Sequence, residues 1–130
     1  MPNKRKKNKK ILIIEDDTFL AELLMGELKR TSIDFDLVPN AEKALEKIIE
    51  NHPDLIILDI ILPGMSGFEF LAIIKANKEL SSIPIIILSN LGQKSEIERG
   101  MKLGAQAFLV KANFDLDVLV QKMQEAIEEL

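Results

Sequence analysis

Three carboxylates stand in a row at Glu15, Asp16 and Asp17, and a fourth, Asp59, follows the apolar run "LIIL". A hydroxyl, Ser89, follows "PIIIL", and an ammonium, Lys111, follows "AFLV". Carboxylates within a few ångströms repel one another by roughly several kcal/mol at an intermediate effective dielectric. Shifted pKa values or a bound cation must relieve that repulsion. A hard divalent ion with oxygen ligands does so, and Mg²⁺ usually takes one or two carboxylates, several waters and a phosphate oxygen. A hydroxyl and an ammonium on the far side supply donors for the other phosphate oxygens. The set suits phosphoryl transfer to a carboxylate, with the cation and Lys111 stabilising the transferring charge.

Each residue alone has a plainer reading. Asp16 or Asp17 would cap a helix starting near Thr18, and Ser89 would cap another. Asp59 would be a turn residue, and Lys111 a solvated strand end. Acid, acid, hydroxyl and ammonium after the first, third, fourth and fifth strands together are what favour a site.

The elements that must position them follow from periodicity. "ILII" (11–14), "FDLV" (35–38), "LIIL" (55–58), "PIIIL" (84–88) and "AFLV" (107–110) read as strands, with Pro84 tolerated at a first position. Residues 18–30 read as a helix with Phe19, Leu20, Leu23, Leu24 and Leu28 on one face. Helices are also expected over 41–50, 68–76 and 94–104, the last despite Gly100 and stopped by Gly104. Residues 115–130 carry a stripe of Leu116, Leu119, Val120, Met123 and Ile127. Five βα units in succession, four of their strands unbroken apolar runs, predict a doubly wound parallel α/β sheet with helices on both faces. All strand C-termini then share one edge, where open α/β sheets bind ligands.

The bulk properties narrow the classes. A chain of 130 residues suits one domain, and 47% apolar with 29% charged residues is an ordinary globular composition. With no cysteine, disulfides, thiolate metal sites and cysteine nucleophiles are excluded. No apolar run approaches the roughly 20 residues of a membrane helix, and no signal peptide is read, so the expectation is cytoplasmic. Residues 1–10, "MPNKRKKNKK", hold six of the 17 Lys and Arg and no acid. They are expected as a basic, disordered tail ahead of a domain over 11–130. The body keeps 11 basic against 21 acidic residues and should repel nucleic acid. His52 reads as a loop residue, since no second His or Cys completes a familiar metal set. The methionines read as packing residues.

"ILIIEDD", "LIILDIILPGMSGFEFL", "PIIILSN" and "GAQAFLVKA" closely resemble the receiver domain of two-component response regulators. The resemblance covers essentially everything after the tail. It implies a flavodoxin-like (βα)5 fold, strand order 2-1-3-4-5. It also implies that Asp59 accepts a phosphoryl group from a sensor histidine kinase or a histidine phosphotransfer protein. Asp16 and Asp59 would bind Mg²⁺, or Mn²⁺ in its place, with the backbone carbonyl of Ile61 as a further ligand and Glu15 acting through water. Asp17 is a secondary candidate. Ser89 and Phe108 would be the switch residues and Lys111 the family's lysine. The surface of the fourth helix, fifth strand and fifth helix would then change for a downstream protein partner, and it could also join a homodimer. On this reading the chain is no enzyme toward external substrates and leaves no room for an output domain.

Two departures stand out. Ala112 follows Lys111 where the family usually has a cis proline, and a cis bond before a non-proline costs about 2.5–4 kcal/mol. Asn90 stands beside Ser89 where a smaller residue is common. With Ile61 it is expected to alter water's access to the acyl phosphate, and so the phosphoryl lifetime. Two rival readings remain: a receiver-like module that binds partners without phosphorylation, and an aspartyl-phosphate phosphatase. The phosphatases with a strand-end aspartate usually carry a second acid two residues on, where this chain has Ile61.

Overall fold

A computed structural model describes residues 9–113 and 115–128. The strands are β1 (Lys10–Ile14), β2 (Asp34–Val38), β3 (Leu55–Leu58), β4 (Ile85–Ser89) and β5 (Ala107–Val110). The helices are α1 (Thr18–Leu28), α2 (Ala41–Glu50), α3 (Gly67–Ala76), α4 (Lys94–Lys102) and α5 (Leu116–Glu128). The sheet is parallel, in the order β2-β1-β3-β4-β5.

Alternation along the strands builds the two cores. Leu12, Ile14, Ile56, Leu58, Ile85 and Ile87 point to one face and pack with residues of α2 and α3. Ile11, Ile13, Leu55, Ile57, Ile86 and Leu88 point to the other and pack with α1 and α5. β1, β3 and β4 are almost wholly buried, which is why they read as unbroken apolar runs. β5 lies at the sheet's edge and is half-buried throughout.

Several boundaries move for local reasons. Lys10 belongs to β1, not to the tail. Its N–H donates to the Asp54 carboxylate at 2.8 Å, and its ammonium lies 3.0 Å from Asp36. Lys9, also expected in the tail, takes the Asp34 N–H on its carbonyl at 2.9 Å, and residues 1–8 lie outside the described residues. Pro84 precedes β4 and gives its carbonyl to the Ile56 N–H, so the strand runs on to Ser89. Asp115 is no part of α5 but accepts from the N–H groups of Asp117 and Val118 at its start. Residues 129–130 of the expected last helix are likewise outside the described residues. Gly104 does stop α4: at φ 111° it lets its own N–H and that of Ala105 close back on Met101 and Gly100.

The face expected of α1 is partly wrong. Its buried stripe is Leu20, Ala21, Leu24 and Leu28, whereas Phe19 is 71% exposed and Leu23 38% exposed. Phe19 and Leu23 lie four residues apart on a row that one residue's rotation, about 100°, turns off the sheet. In α5 the stripe gains Ala126, while Leu116 and Val120 stay only half-buried. Of the methionines, Met123 is buried but Met101 is 43% exposed, so not all of them are packing residues.

Candidate functional site

The sheet ladder continues one residue past the strands and fixes the backbone of the rim. The N–H of Glu15 donates to the Val38 carbonyl at 3.0 Å, and that of Asp59 donates to the Ile14 carbonyl at 3.1 Å. Two neighbouring strands thereby hold their terminal carboxylates side by side, and both side chains are buried, at 4% exposure each. The turn after Asp59 is closed from the other side by α3. The Gly67 N–H donates to the Ile60 carbonyl at 2.9 Å, and a β-carbon on Gly67 would collide with the Asp59 carbonyl and the Ile60 backbone. Glycine is there because backbone meets backbone.

Lys111 reaches in from the end of β5. Its ammonium donates to Glu15 Oε2 and to Asp59 Oδ2, each at 3.0 Å, with the lysine side chain only 11% exposed. The Lys111–Ala112 bond is trans and opens a single 3₁₀ turn, Lys111–Asn113. With alanine after it and the bond trans, the ammonium still reaches both carboxylates. Asp59 Oδ1 accepts from the Ile61 N–H at 3.2 Å, and Glu15 Oε2 also accepts from the Asp17 N–H at 3.0 Å.

The electrostatics follow from two anions and one cation in a confined space. Burial pushes Glu15 up to about 7; the bonds from the Asp17 N–H and Lys111 oppose this, and the nearby Asp59 charge adds to it. Burial pulls the Lys111 ammonium down, but its bonds to Asp59 and Glu15 outweigh that and leave it above the usual lysine value. A proton on Glu15 leaves a matched pair, Lys111 with Asp59.

Oxygen ligands of Glu15, Asp16 and Asp59 lie within 4.8 Å of one another. Asp16 is exposed, so the cluster opens to solvent on one side. Hard carboxylate oxygens, one open side and a buried anion surplus fit a small divalent cation such as Mg²⁺. Asp17 is outside that cluster; its Oδ1 caps α1, accepting from Phe19 and Leu20 at 3.0 and 3.2 Å.

Ser89 is fully buried at the end of β4, and its hydroxyl accepts from the Leu91 N–H at 3.3 Å. Among the described residues it is tied to its own loop rather than to the carboxylates. Asn90 is exposed beside it, as is Ile61, at 53%. Phe108 is half-buried on β5 with its ring against α4, about 3.0 Å from where a β-carbon on Gly100 would sit. His52 is exposed in the α2–β3 loop. One contact had no local signal in the sequence: Glu42 of α2 accepts from the Met65 N–H at 3.1 Å, in the loop after Asp59.

No helix among the described residues is long and apolar enough to cross a membrane. The family model for the response regulator receiver domain matches residues 11–124. The sensory transduction protein BceR of Halalkalibacterium halodurans is 37% identical over 121 residues, 93% of this chain and 51% of that protein. The phosphate regulon transcriptional regulatory protein PhoB of Rhizobium meliloti is 36% identical over 102 residues, 78% of this chain and 45% of that protein. The chain thus spans about half the length of these curated relatives. The crystal structure of the BeF3-activated N-terminal receiver domain of Klebsiella pneumoniae RstA superposes with a TM-score of 0.83 at 26% identity, covering 92% of this chain and 98% of that one.

Proposed function

We propose, from the premise that this chain belongs to the response regulator receiver domain family, that it is a phosphorylation-activated signalling receiver with Asp59 as its phosphoacceptor. The observation that carries this reading is the single ammonium of Lys111 shared at 3.0 Å between Glu15 and Asp59. That arrangement holds a buried carboxylate oxygen in place beside a cation, positioned to act as a nucleophile.

The donor is a phosphohistidine on a sensor histidine kinase or a histidine phosphotransfer protein. An Asp59 oxygen attacks phosphorus, a P–O bond forms, the P–N bond breaks, and its electron pair leaves with the imidazole. Lys111 stays beside the product and donates to a phosphoryl oxygen. Asp16, Asp59, the Ile61 carbonyl and, through water, Glu15 would hold Mg²⁺ or Mn²⁺. When bound, that ion offsets charge on the transferring oxygens. The Ser89 hydroxyl exchanges its contact with Leu91 for one to the phosphoryl group and draws the β4–α4 loop inward. Phe108 repacks, and the α4-β5-α5 surface shifts toward a form that binds a downstream protein or a second copy. Water later attacks phosphorus and returns the carboxylate and inorganic phosphate, so the chemistry begins and ends on this chain's own aspartate. The acidic body offers nucleic acid no face, and the setting is cytoplasmic.

The test is chemical trapping. After incubation with acetyl phosphate and Mg²⁺, borohydride reduction and peptide mapping should mark position 59 alone. Marking of any other carboxylate, with position 59 untouched, would contradict the assignment.

A further inference from the structure

The loop from Asp59 to Ser66 joins the rim to α3 and is secured at both ends. Near Asp59 the Ile61 and Gly67 N–H groups close it; at Ser66 a reciprocal pair of bonds with Glu69 caps α3. Between those ends, Pro63 and Gly64 are exposed and Met65 is half-buried. The tip is met by Glu42, in the first turn of α2. Its Oε2 accepts from the Met65 N–H at 3.1 Å, and its carboxylate lies over Gly64, where a β-carbon would come within 2.9 Å of Oε2. Gly64 has φ +77°, so the turn itself calls for glycine.

We propose that Glu42 is a positioning residue that holds this loop in the form needed for cation binding and phosphoryl acceptance. This rests on the assignment of Asp59 and the Ile61 carbonyl given above. Glu42 touches no reacting atom. A backbone carbonyl in a free loop must be ordered when the cation binds, and that ordering entropy weakens binding. A loop clamped at its tip by a carboxylate from another helix has been ordered in advance, as supporting groups around a metal site do for its ligands.

The experiment compares wild type, Glu42→Gln and Glu42→Ala. Mg²⁺ affinity is measured by calorimetry, Met65 amide exchange by NMR, and phosphorylation rate with acetyl phosphate at limiting and saturating Mg²⁺. Glu42→Ala should bind Mg²⁺ roughly threefold to tenfold more weakly, less than a fully buried supporting group because the site is exposed. Its Met65 amide should exchange faster, its rate should fall at limiting Mg²⁺ and recover at saturation, and its melting temperature should be unchanged. Glu42→Gln keeps an acceptor oxygen and should keep most of the affinity. Equal Mg²⁺ affinity in wild type and Glu42→Ala overturns the proposal, even if Glu42→Ala melts earlier. If wild type binds Mg²⁺ but takes no phosphoryl group, the phosphoacceptor reading fails, while the affinity comparison still decides the role of Glu42. No Mg²⁺ binding by wild type overturns both.

Discussion

Protonation of Glu15 should set the pH dependence of stability in the metal-free protein. Its carboxyl titrates near 7 in the fold against 4.5 for an unperturbed glutamate, because it is buried beside Asp59. Between those two values the folded chain holds a proton that the unfolded chain has released. Stability is therefore greatest at the acid end of the window, falls as pH rises through it, and levels off above it. Each unit of difference is worth about 1.4 kcal/mol, so the shift corresponds to roughly 2–3 kcal/mol, most of it lost between pH 5 and 8. Urea unfolding followed by far-ultraviolet circular dichroism would show this as a midpoint lower by roughly 1–2 M at pH 8 than at pH 5. Glu15→Gln, which stays neutral in the same space, should flatten the curve. Millimolar Mg²⁺ should flatten it too, by favouring the ionised cluster. Stability that rises from pH 5 to 8 without metal, or an equally steep curve in Glu15→Gln, would refute the reasoning.

Lys111→Met removes the cation shared by two buried carboxylates. It should cost about 2–4 kcal/mol at neutral pH, below the usual upper range for a broken buried pair because Glu15 can take a proton. It should also slow phosphorylation by at least roughly 100-fold, read by phosphate-affinity electrophoresis. Gly67→Ala drives a methyl into the Asp59–Ile60 backbone and should destabilise by about 1–3 kcal/mol in thermal melts, with phosphorylation slowed as Asp59 shifts. Asn90, next to Ser89, and Ile61, two residues past Asp59, are both exposed, so the acyl phosphate should decay unlike that of a fast-cycling receiver. Decay at the fast end, unchanged in Asn90→Ala, would remove that expectation.

The fold was legible because the doubly covered strands β1, β3 and β4 leave their burial in the sequence as unbroken apolar runs. The placement of the candidate residues was legible because Glu15, Asp59 and Lys111 each follow their strand directly, so topology puts them on one edge. Side chains that depend on rotation or reach were less so. Phe19 and Leu23 read as core by spacing, yet α1 turns them outward, since a helix rich in apolar residues does not specify which row faces the sheet. Ser89 could be placed at its strand end, but not its bond to Leu91. The Glu42 contact spans 23 residues between an exposed helix turn and a loop tip, and no periodicity reports such a pair.

The most direct test is intact mass after incubation with acetyl phosphate and Mg²⁺, run beside Asp59→Ala and a metal-free control. A gain of one phosphoryl group in the wild type, lost in both controls, is the predicted result. The same gain in Asp59→Ala would contradict the account.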